Sequence, residues 1–240
     1  MKKRIFAGVL AVSMLIGVSG CGIFANGSDE NEKVMIEKDK AKELQLELNL
    51  GAGELKVEKG ANEWVEGSID YNQDKLKPEV SYKLKGDKGI GVIEQDKKGL
   101  VDNIKIGELK NEWNLTLTDE IPLDLRVNSG ASETNLDLKG LLIKELDVNA
   151  GVGDITIDLG GNWDKSFDAA LALGVGKSTI ILPKDVGVKI KASKGIGTAD
   201  FVDFISKGNG VYVNEAYEDA EVVINLTTDL GVGEAVFKLE

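Results

Sequence analysis

The sequence predicts an all-β protein, a single-stranded parallel β-solenoid in which each turn of the chain, or rung, stacks on the one before. Two observations predict this fold. Hydrophobic and polar residues alternate in short runs, such as Leu44 to Leu50, and no long stretch shows the 3.6-residue period of an amphipathic helix. A Gly-x-Gly or Gly-x-Ser corner between two such runs recurs along the chain, which is typical of a solenoid.

The corners set the register between the predicted rungs. They begin at Gly51, Gly130, Gly151, Gly174, Gly195 and Gly231, and the middle four are 21, 23 and 21 residues apart. A sharp corner needs a positive φ or a close backbone approach, and glycine allows both with the least steric conflict. Aligning the corners places hydrophobic residues five positions before each, namely Leu46, Leu125, Leu146, Ala169, Ile190 and Leu226. We expect these side chains to point inward in rungs of 21–23 residues.

Neighbouring rungs should then form specific side-chain pairs. An offset of 21 residues places Arg126 beside Asp147 and Asn128 beside Asn149, about 4.8 Å apart if the rungs pair as parallel strands. Opposite charges and like amides are favourable neighbours there. Equal rungs of this length would give about nine rungs and a rod about 40 Å long. The C-terminal segment 222–239 is expected to close one end of the rod.

The solenoid domain is predicted to cover residues 43–240. Between residues 53 and 130 the repeat blurs, although short alternating runs persist. We interpret this region as irregular rungs with an insertion at 96–111. A separate small β-domain in the same region is the alternative.

The N-terminus predicts export and attachment to a membrane. Residues 1–20 begin with Met1-Lys2-Lys3-Arg4 and continue with an apolar stretch and small residues, the pattern of a signal peptide. Cys21, the single cysteine, resembles the modified cysteine of bacterial lipoproteins, which implies cleavage before it and attachment of lipid such as palmitate. An ordinary secretory signal with a chance cysteine is the alternative. Residues 21–42 are polar and charged, and they predict the lipidated cysteine followed by a flexible tether.

The composition argues against several classes of function. After residue 20 the chain carries 26 basic and 41 acidic side chains, a formal charge of −15, and such a surface repels nucleic acid and anionic lipid headgroups. The chain has no histidine, so the usual general base and the usual zinc ligand are missing. We therefore assign no catalytic residue, metal or cofactor, and we expect that the protein is not an enzyme.

Four runs of sequence resemble the toast-rack family of bacterial envelope proteins, which is related to adhesin-like solenoids and to membrane proteins that respond to cell-wall-active antibiotics. They are LNLGAGEL at 48–55, NEWNL at 111–115, IPLDL at 121–125 and NAGVGD at 149–154. The resemblance covers residues 43–240 and implies a right-handed β-solenoid at the envelope, and the family offers no agreed catalytic residues to carry over. Together with Cys21, it predicts an exported protein anchored to the outer face of the bacterial cell membrane, or to the outer membrane of a cell with two membranes.

Two further motifs were weighed against a structural role. The run GVGKST at 174–179 partly matches a phosphate-binding loop, but Leu171 stands where that motif needs a glycine and strand-like residues follow, so nucleotide binding is not predicted. Outward positions after the corners could hold calcium, and they are occupied by Glu54, Glu133, Asp154, Lys177, Thr198 and Glu234. We favour a solvated face there, because the sequence lacks the glycine-rich calcium nonapeptide.

The three tryptophans provide candidate ligand contacts. Trp64, Trp113 and Trp163 are 49 and 50 residues apart and could line one side of the solenoid, where their ring faces would stack on sugars. The alternative is that they cover exposed ends of the core.

Two hypotheses of function follow from the sequence. The first is a lipid-anchored, non-enzymatic scaffold for interaction or sensing, which binds an envelope protein partner in cell-wall stress response or adhesion. The second is a binding module for wall or extracellular polysaccharide, with the tryptophans as contacts. A carbohydrate-active enzyme is less well supported, because no pair of carboxylates stands at an apolar site that would raise one pKa.

Overall fold

The computed structural model describes residues 29–95 and 109–240. This part of the chain forms one sheet of fourteen β-strands, with short 3-10 turns at Asp74–Leu76 and Glu215–Asp219. The strands are β1 (Glu30–Ile36), β2 (Glu43–Lys59), β3 (Val65–Tyr71), β4 (Pro78–Lys85), β5 (Lys88–Gln95), β6 (Asn111–Leu117), β7 (Leu123–Asp137), β8 (Ile143–Val152), β9 (Ile155–Asp158), β10 (Phe167–Leu182), β11 (Gly187–Phe201), β12 (Ile205–Gly208), β13 (Val211–Val213) and β14 (Val223–Leu239). The prediction of an all-β protein is confirmed.

Five long strands run through the predicted glycine corners. β2, β7, β10, β11 and β14 each continue on both sides of a corner, while β8 and β9 lie on either side of the corner at Gly151. Each of these five strands, and likewise β8 together with β9, forms one layer of the stack. We call the part of a layer before its corner the first half and the part after it the second half. Leu46 and Leu48 are buried in the first half of β2, and Leu55 and Val57 are buried in its second half. Both halves therefore face a common core.

The layers stack in parallel and in the register that the corners predict. One column of paired residues contains Leu46, Leu125, Leu146, Ala169, Leu226 and Ile190, which are the six residues aligned from the sequence. Stacked residues are 21 apart in sequence between β7 and β8, but 79 apart between β2 and β7 and 57 apart between β10 and β14. The expectation of about nine equal rungs is wrong. The parallel layers instead follow the order β5/β6, β2, β7, β8/β9, β10, β14 and β11, a span of about 29 Å.

The C-terminal strand lies inside the stack. β14 pairs with β10 along one edge and with β11 along the other, so the prediction that 222–239 closes one end is wrong. β11 is the terminal parallel layer, and its Lys194 occupies an inward position beside Leu230. The Lys194 ammonium lies 5.1 Å from the ring centroid of Phe201. A lysine is tolerated at this inward position because the last layer has one side open to water.

The opposite end is built from the region in which the repeat blurs. β5 and β6 both pair in parallel with β2; β4 extends the sheet beyond β5, and β3 and β1 extend it beyond β6, all antiparallel. The alternative of a separate small β-domain is therefore wrong. Val34 and Ile36 of β1 are buried, so the predicted tether 21–42 is wrong for residues 30–36. Residues 96–108, most of the predicted insertion, lie outside the described residues.

A buried asparagine fixes the cap at the β11 end. β13 pairs antiparallel with the first half of β11, and β12 pairs with β13. Asn214 follows β13 and is only 1% exposed. Its side-chain amide donates to the carbonyl of Val186 at 2.7 Å, and its Oδ1 accepts from the backbone N–H of Val188 at 2.8 Å. These bonds satisfy backbone groups that would otherwise be buried without partners.

The corners permit an unusually close stacking of the backbone. A Cβ atom built on Gly174 would overlap the carbonyl oxygen of Gly151, and one on Gly231 would overlap the carbonyl oxygen of Gly174. A Cβ atom built on Gly130, Gly151 or Gly195 would likewise overlap a carbonyl oxygen of the neighbouring layer. Gly176, two residues on, also has φ +143°, a conformation that side chains with a Cβ rarely adopt. Space therefore excludes a Cβ at the first glycine of the five corners that begin at Gly130, Gly151, Gly174, Gly195 and Gly231. The second glycine also has a positive φ wherever it is present, and only the corner at Gly130 has a serine, Ser132, in its place.

We expect Gly174→Ala to destabilise the protein by more than about 3 kcal/mol, because its methyl group meets backbone that cannot rotate away. Gly60→Ala is the matched control, since Gly60 has φ +134° but no atom within 4 Å of the added Cβ; its strain should cost about 1 kcal/mol. Urea unfolding followed by tryptophan fluorescence measures both. Equal unfolding midpoints for the two variants would contradict the steric argument.

Candidate interaction surface

The outward side of the first halves carries a row of asparagines. Asn128 donates from its amide to the Oδ1 of Asn49 at 2.8 Å, and Asn149 donates to the Oδ1 of Asn128 at 3.0 Å. The predicted pairing of Asn128 with Asn149 is confirmed. Each amide is held by its neighbour, so the row presents donors and acceptors at the spacing of the strands. The row ends at Ala172, the next residue in register.

Ion pairs accompany the asparagine row on the same surface, which we call the first face. Arg126 Nε lies 3.2 Å from Asp147 Oδ2, as predicted, and Lys88 Nζ lies 2.6 Å from Asp124 Oδ2. The Lys144 ammonium donates to Glu43 at 3.0 Å and holds the pKa of that carboxyl below its usual value. The more exposed pairs, Arg126–Asp147 and Lys144–Glu43, add little stability, about 0–1 kcal/mol each. Their main effect is to fix the positions of charged groups on the first face.

The outward row of the second halves contains the residues considered for calcium. Glu54 pairs in register with Glu133, and Glu234 lies between Lys177 and Thr198. Lys177 Nζ lies 3.8 Å from Glu234, and both side chains are well exposed. Within residues 29–95 and 109–240, no group of three or more histidine, cysteine or acidic side chains is arranged to hold a metal ion. This row is a solvated surface of mixed charge.

The middle residues of the corners form an apolar line that the sequence analysis missed. We call it the corner ridge, and in stacking order it contains Ala52, Ala131, Val152, Val175, Val232 and Ile196. The exposed fractions are 58% for Val152, 48% for Val175, 47% for Val232 and 75% for Ile196. The signal was present in the sequence, because the residue between the two corner positions is aliphatic every time.

The run at 174–179 is part of β10. Val175 pairs with Val152 and Val232 in the neighbouring strands, and the strand continues to Leu182. No helix follows the glycines, so the run lacks the helix N-terminus that a phosphate-binding loop requires. Its two glycines form the corner of β10.

The three tryptophans lie in the core. Trp64, Trp113 and Trp163 are 4%, 1% and 7% exposed, so the interpretation of these residues as a row of sugar contacts is wrong for this structure. Each indole N–H donates within the protein: from Trp64 to Asp39 at 3.2 Å, from Trp113 to Asn111 at 3.0 Å, and from Trp163 to the carbonyl of Leu159 at 2.8 Å. A tryptophan can be buried completely when its single donor is satisfied in this way. The alternative, a role in covering the core, fits these contacts.

Cys21 and the signal peptide 1–20 lie outside the described residues, so the anchor remains a prediction. In the part of the chain that is described, none of the helices has the length and apolar character needed to cross a bilayer.

The fold and its surface define a class of protein, an all-β stack of layers whose outward side chains form long regular faces. The sequence matches the family model described as "N-terminal domain of toast_rack, DUF2154" over residues 25–181, and the chain belongs to this family. A second model, "Cell wall-active antibiotics response LiaF, C-terminal", matches residues 133–236. The resemblance noted in the sequence is confirmed.

The chain is also similar to solved structures. A protein from Clostridium sporogenes, described as a "putative cell adhesion protein", is 32% identical with a TM-score of 0.85, and the match covers 89% of this chain and 100% of that chain. Proteins described as "putative adhesin" from Bacteroides fragilis and Parabacteroides distasonis are 9% and 10% identical, with TM-scores of 0.32 and 0.33. Those matches cover 87% and 90% of this chain and 97% and 98% of the other chains, and their scores are too low to support an argument. Comparison with curated proteins gives no match.

We expect Trp113→Ala to destabilise the protein by about 3–5 kcal/mol, the range for removing a large buried aromatic side chain. Unfolding in guanidinium chloride measures the change. Trp113→Phe is the control, because it retains most of the buried area and loses only the bond to Asn111. Equal stability of Trp113→Ala and the parent protein would show that the ring is not part of the core.

Proposed function

We propose that the protein is a lipid-anchored, non-enzymatic scaffold of the bacterial cell envelope, which binds a protein partner and acts in sensing wall stress or in adhesion. The match to the LiaF C-terminal model and the similarity to a structure described as a "putative cell adhesion protein" support an envelope sensing or adhesion role. The anchor, the absence of catalysis and the protein partner are parts of the proposal.

The observation that carries this proposal is the organisation of the first face. Asn49, Asn128 and Asn149 hold one another in place, and the Arg126–Asp147 pair lies alongside them on the same strands. Side chains that are already ordered lose little conformational entropy when a partner binds. A rigid, polar face of this kind suits recognition of another protein surface, and the buried tryptophans leave the polysaccharide hypothesis without its predicted contacts.

The anchor would hold one end of the stack near the membrane. Only residues 22–29 separate Cys21 from β1, and a chain of that length reaches at most about 29 Å. The predicted tether 21–42 would have spanned a greater distance, but residues 30–36 belong to the sheet. The β1, β3 and β6 end would therefore lie near the bilayer and the β11 end farther from it.

We expect Cys21→Ser to abolish incorporation of a labelled fatty acid and to move the protein from the membrane fraction to the soluble exported fraction. Firm anchoring needs more than one acyl chain, so loss of the modified sulfur should be sufficient. Cell fractionation followed by immunoblotting measures the change. Ser28→Ala is a control that leaves the cysteine intact. A mature Cys21→Ser protein, with its signal peptide removed, that still sediments with membranes would contradict the lipid anchor.

We expect a photo-crosslinking residue at position 128 to give a discrete product with one envelope protein other than a second copy of this chain in living cells. The matched control is the same residue at position 135, an exposed position on the second half of the same strand, β7. Asn128→Lys should remove the product formed by a crosslinker at position 149, because it places a long cation within the row. No product at position 128, or equal products at 128 and 135, would contradict binding through the first face.

The sensing role has a separate test. A strain that lacks the gene should lose or alter its transcriptional response to a cell-wall-active antibiotic, and Asn128→Lys should fail to restore it while Asn135→Lys restores it. An unchanged response in the deletion strain, together with weaker cell attachment, would favour adhesion. Retention on a glycan array by the parent protein would instead support the polysaccharide hypothesis.

A further inference from the structure

The corner ridge is a regular line of exposed apolar side chains on the described surface. Four consecutive members, Val152, Val175, Val232 and Ile196, are between 47% and 75% exposed and lie in adjacent layers. The close backbone contacts involve the residues that flank the middle position, whereas the middle side chains of these four corners are exposed to solvent. Contiguous exposed aliphatic side chains of this kind mark surfaces that bind another molecule.

Side-chain size changes steadily along the ridge. The residues nearest the β2 end are alanines, the central residues are valines, and the residue at the β11 end is Ile196. A second ridge running in the opposite direction would place the large end of one copy against the small end of the other. Ala52 would face Ile196, Ala131 would face Val232, and Val152 would face Val175. A ridge running in the same direction would oppose alanine to alanine and leave a gap.

We infer that the protein forms a two-fold symmetric dimer in which the corner ridges of two copies pack antiparallel. The two-fold axis passes between the Val152 and Val175 layers, perpendicular to the ridge. This symmetry closes the assembly at two copies, because each ridge is used once. The inference does not rest on the partner proposed for the first face.

The rows beside the ridge favour the same arrangement. The two-fold places Asp154 opposite Lys177 of the second copy, and the symmetry repeats this pair of opposite charges. On the other side of the ridge, Asn128 lies opposite Asp229 of the second copy, where an amide can donate to a carboxylate. Lys177 is free to make the contact, since 72% of its side chain is exposed and its pair with Glu234 is long at 3.8 Å.

Two features limit the strength of the dimer. Glu133 would face Glu234 of the second copy, a like-charged pair at the edge of the contact. The ridge and its two flanking rows also supply fewer residues than the roughly 20–30 per side of a standard interface. We therefore expect a dissociation constant in the micromolar range or weaker.

Paired charge variants of the full chain test the register. Ala131→Lys and Val232→Glu should each weaken dimerisation at least tenfold in sedimentation equilibrium, because each places two unpaired charges in the homodimer. Mixing the two variants should restore a heterodimer, in which the introduced lysine faces the introduced glutamate. Thr227→Glu, an exposed change on the first face of β14, is the control and should leave the dimer unchanged.

A second measurement guards against variants that alter the fold. In a Cys21→Ser background, Ala131→Cys mixed with Val232→Cys should be joined by a short bismaleimide, whereas Ala131→Cys alone should not. A parent protein that stays monomeric up to about 1 mM would overturn the inference. Mixtures that fail to recover the dimer, or efficient crosslinking of Ala131→Cys to itself, would overturn the antiparallel arrangement.

Discussion

Close approach of the backbone at the glycine corners is the constraint on which the rest of the structure depends. Gly130, Gly151, Gly174, Gly231 and Gly195 each leave no room for a Cβ, because a carbonyl oxygen of the adjacent layer occupies that space. Every layer must therefore bend at the same position along its strand. As a result, both halves of each layer stay in register with the neighbouring layers. Hydrophobic columns inside and polar rows outside are consequences of this alignment.

The terminal layers of the stack differ from the interior layers in how their edges are covered and in which residues occupy their inward columns. Interior layers such as β10 and β14 are covered on both edges and carry aliphatic residues in the inward columns. The terminal layer β11 carries Lys194 in one of these columns, and a short cap fixed by Asn214 covers only its first half. At the other end, β1 and β3 cover the β6 half and β4 covers the β5 half. These caps protect strand edges that would otherwise pair with other chains.

The same alignment produces two surfaces with different chemistry. Hydrogen bonds between stacked amides fix the first face, which makes it suited to a specific polar partner. The corner ridge is aliphatic and regular, and its taper from Ala52 to Ile196 makes it complementary to itself in reverse. The two surfaces lie on neighbouring sides of the corner.

The sequence by itself determined which residues point inward, where each layer bends, and that Arg126 meets Asp147, because strand alternation and glycine corners are local properties. Only the tertiary structure decided that β14 enters between β10 and β11. All layers carry nearly the same pattern, as Leu173 to Gly176 and Leu230 to Gly233 show, so local sequence does not specify their order. The burial of the tryptophans, the pairing of β1 and the continuity of the ridge depend on contacts between segments far apart in the chain, and chain spacing alone could not reveal them.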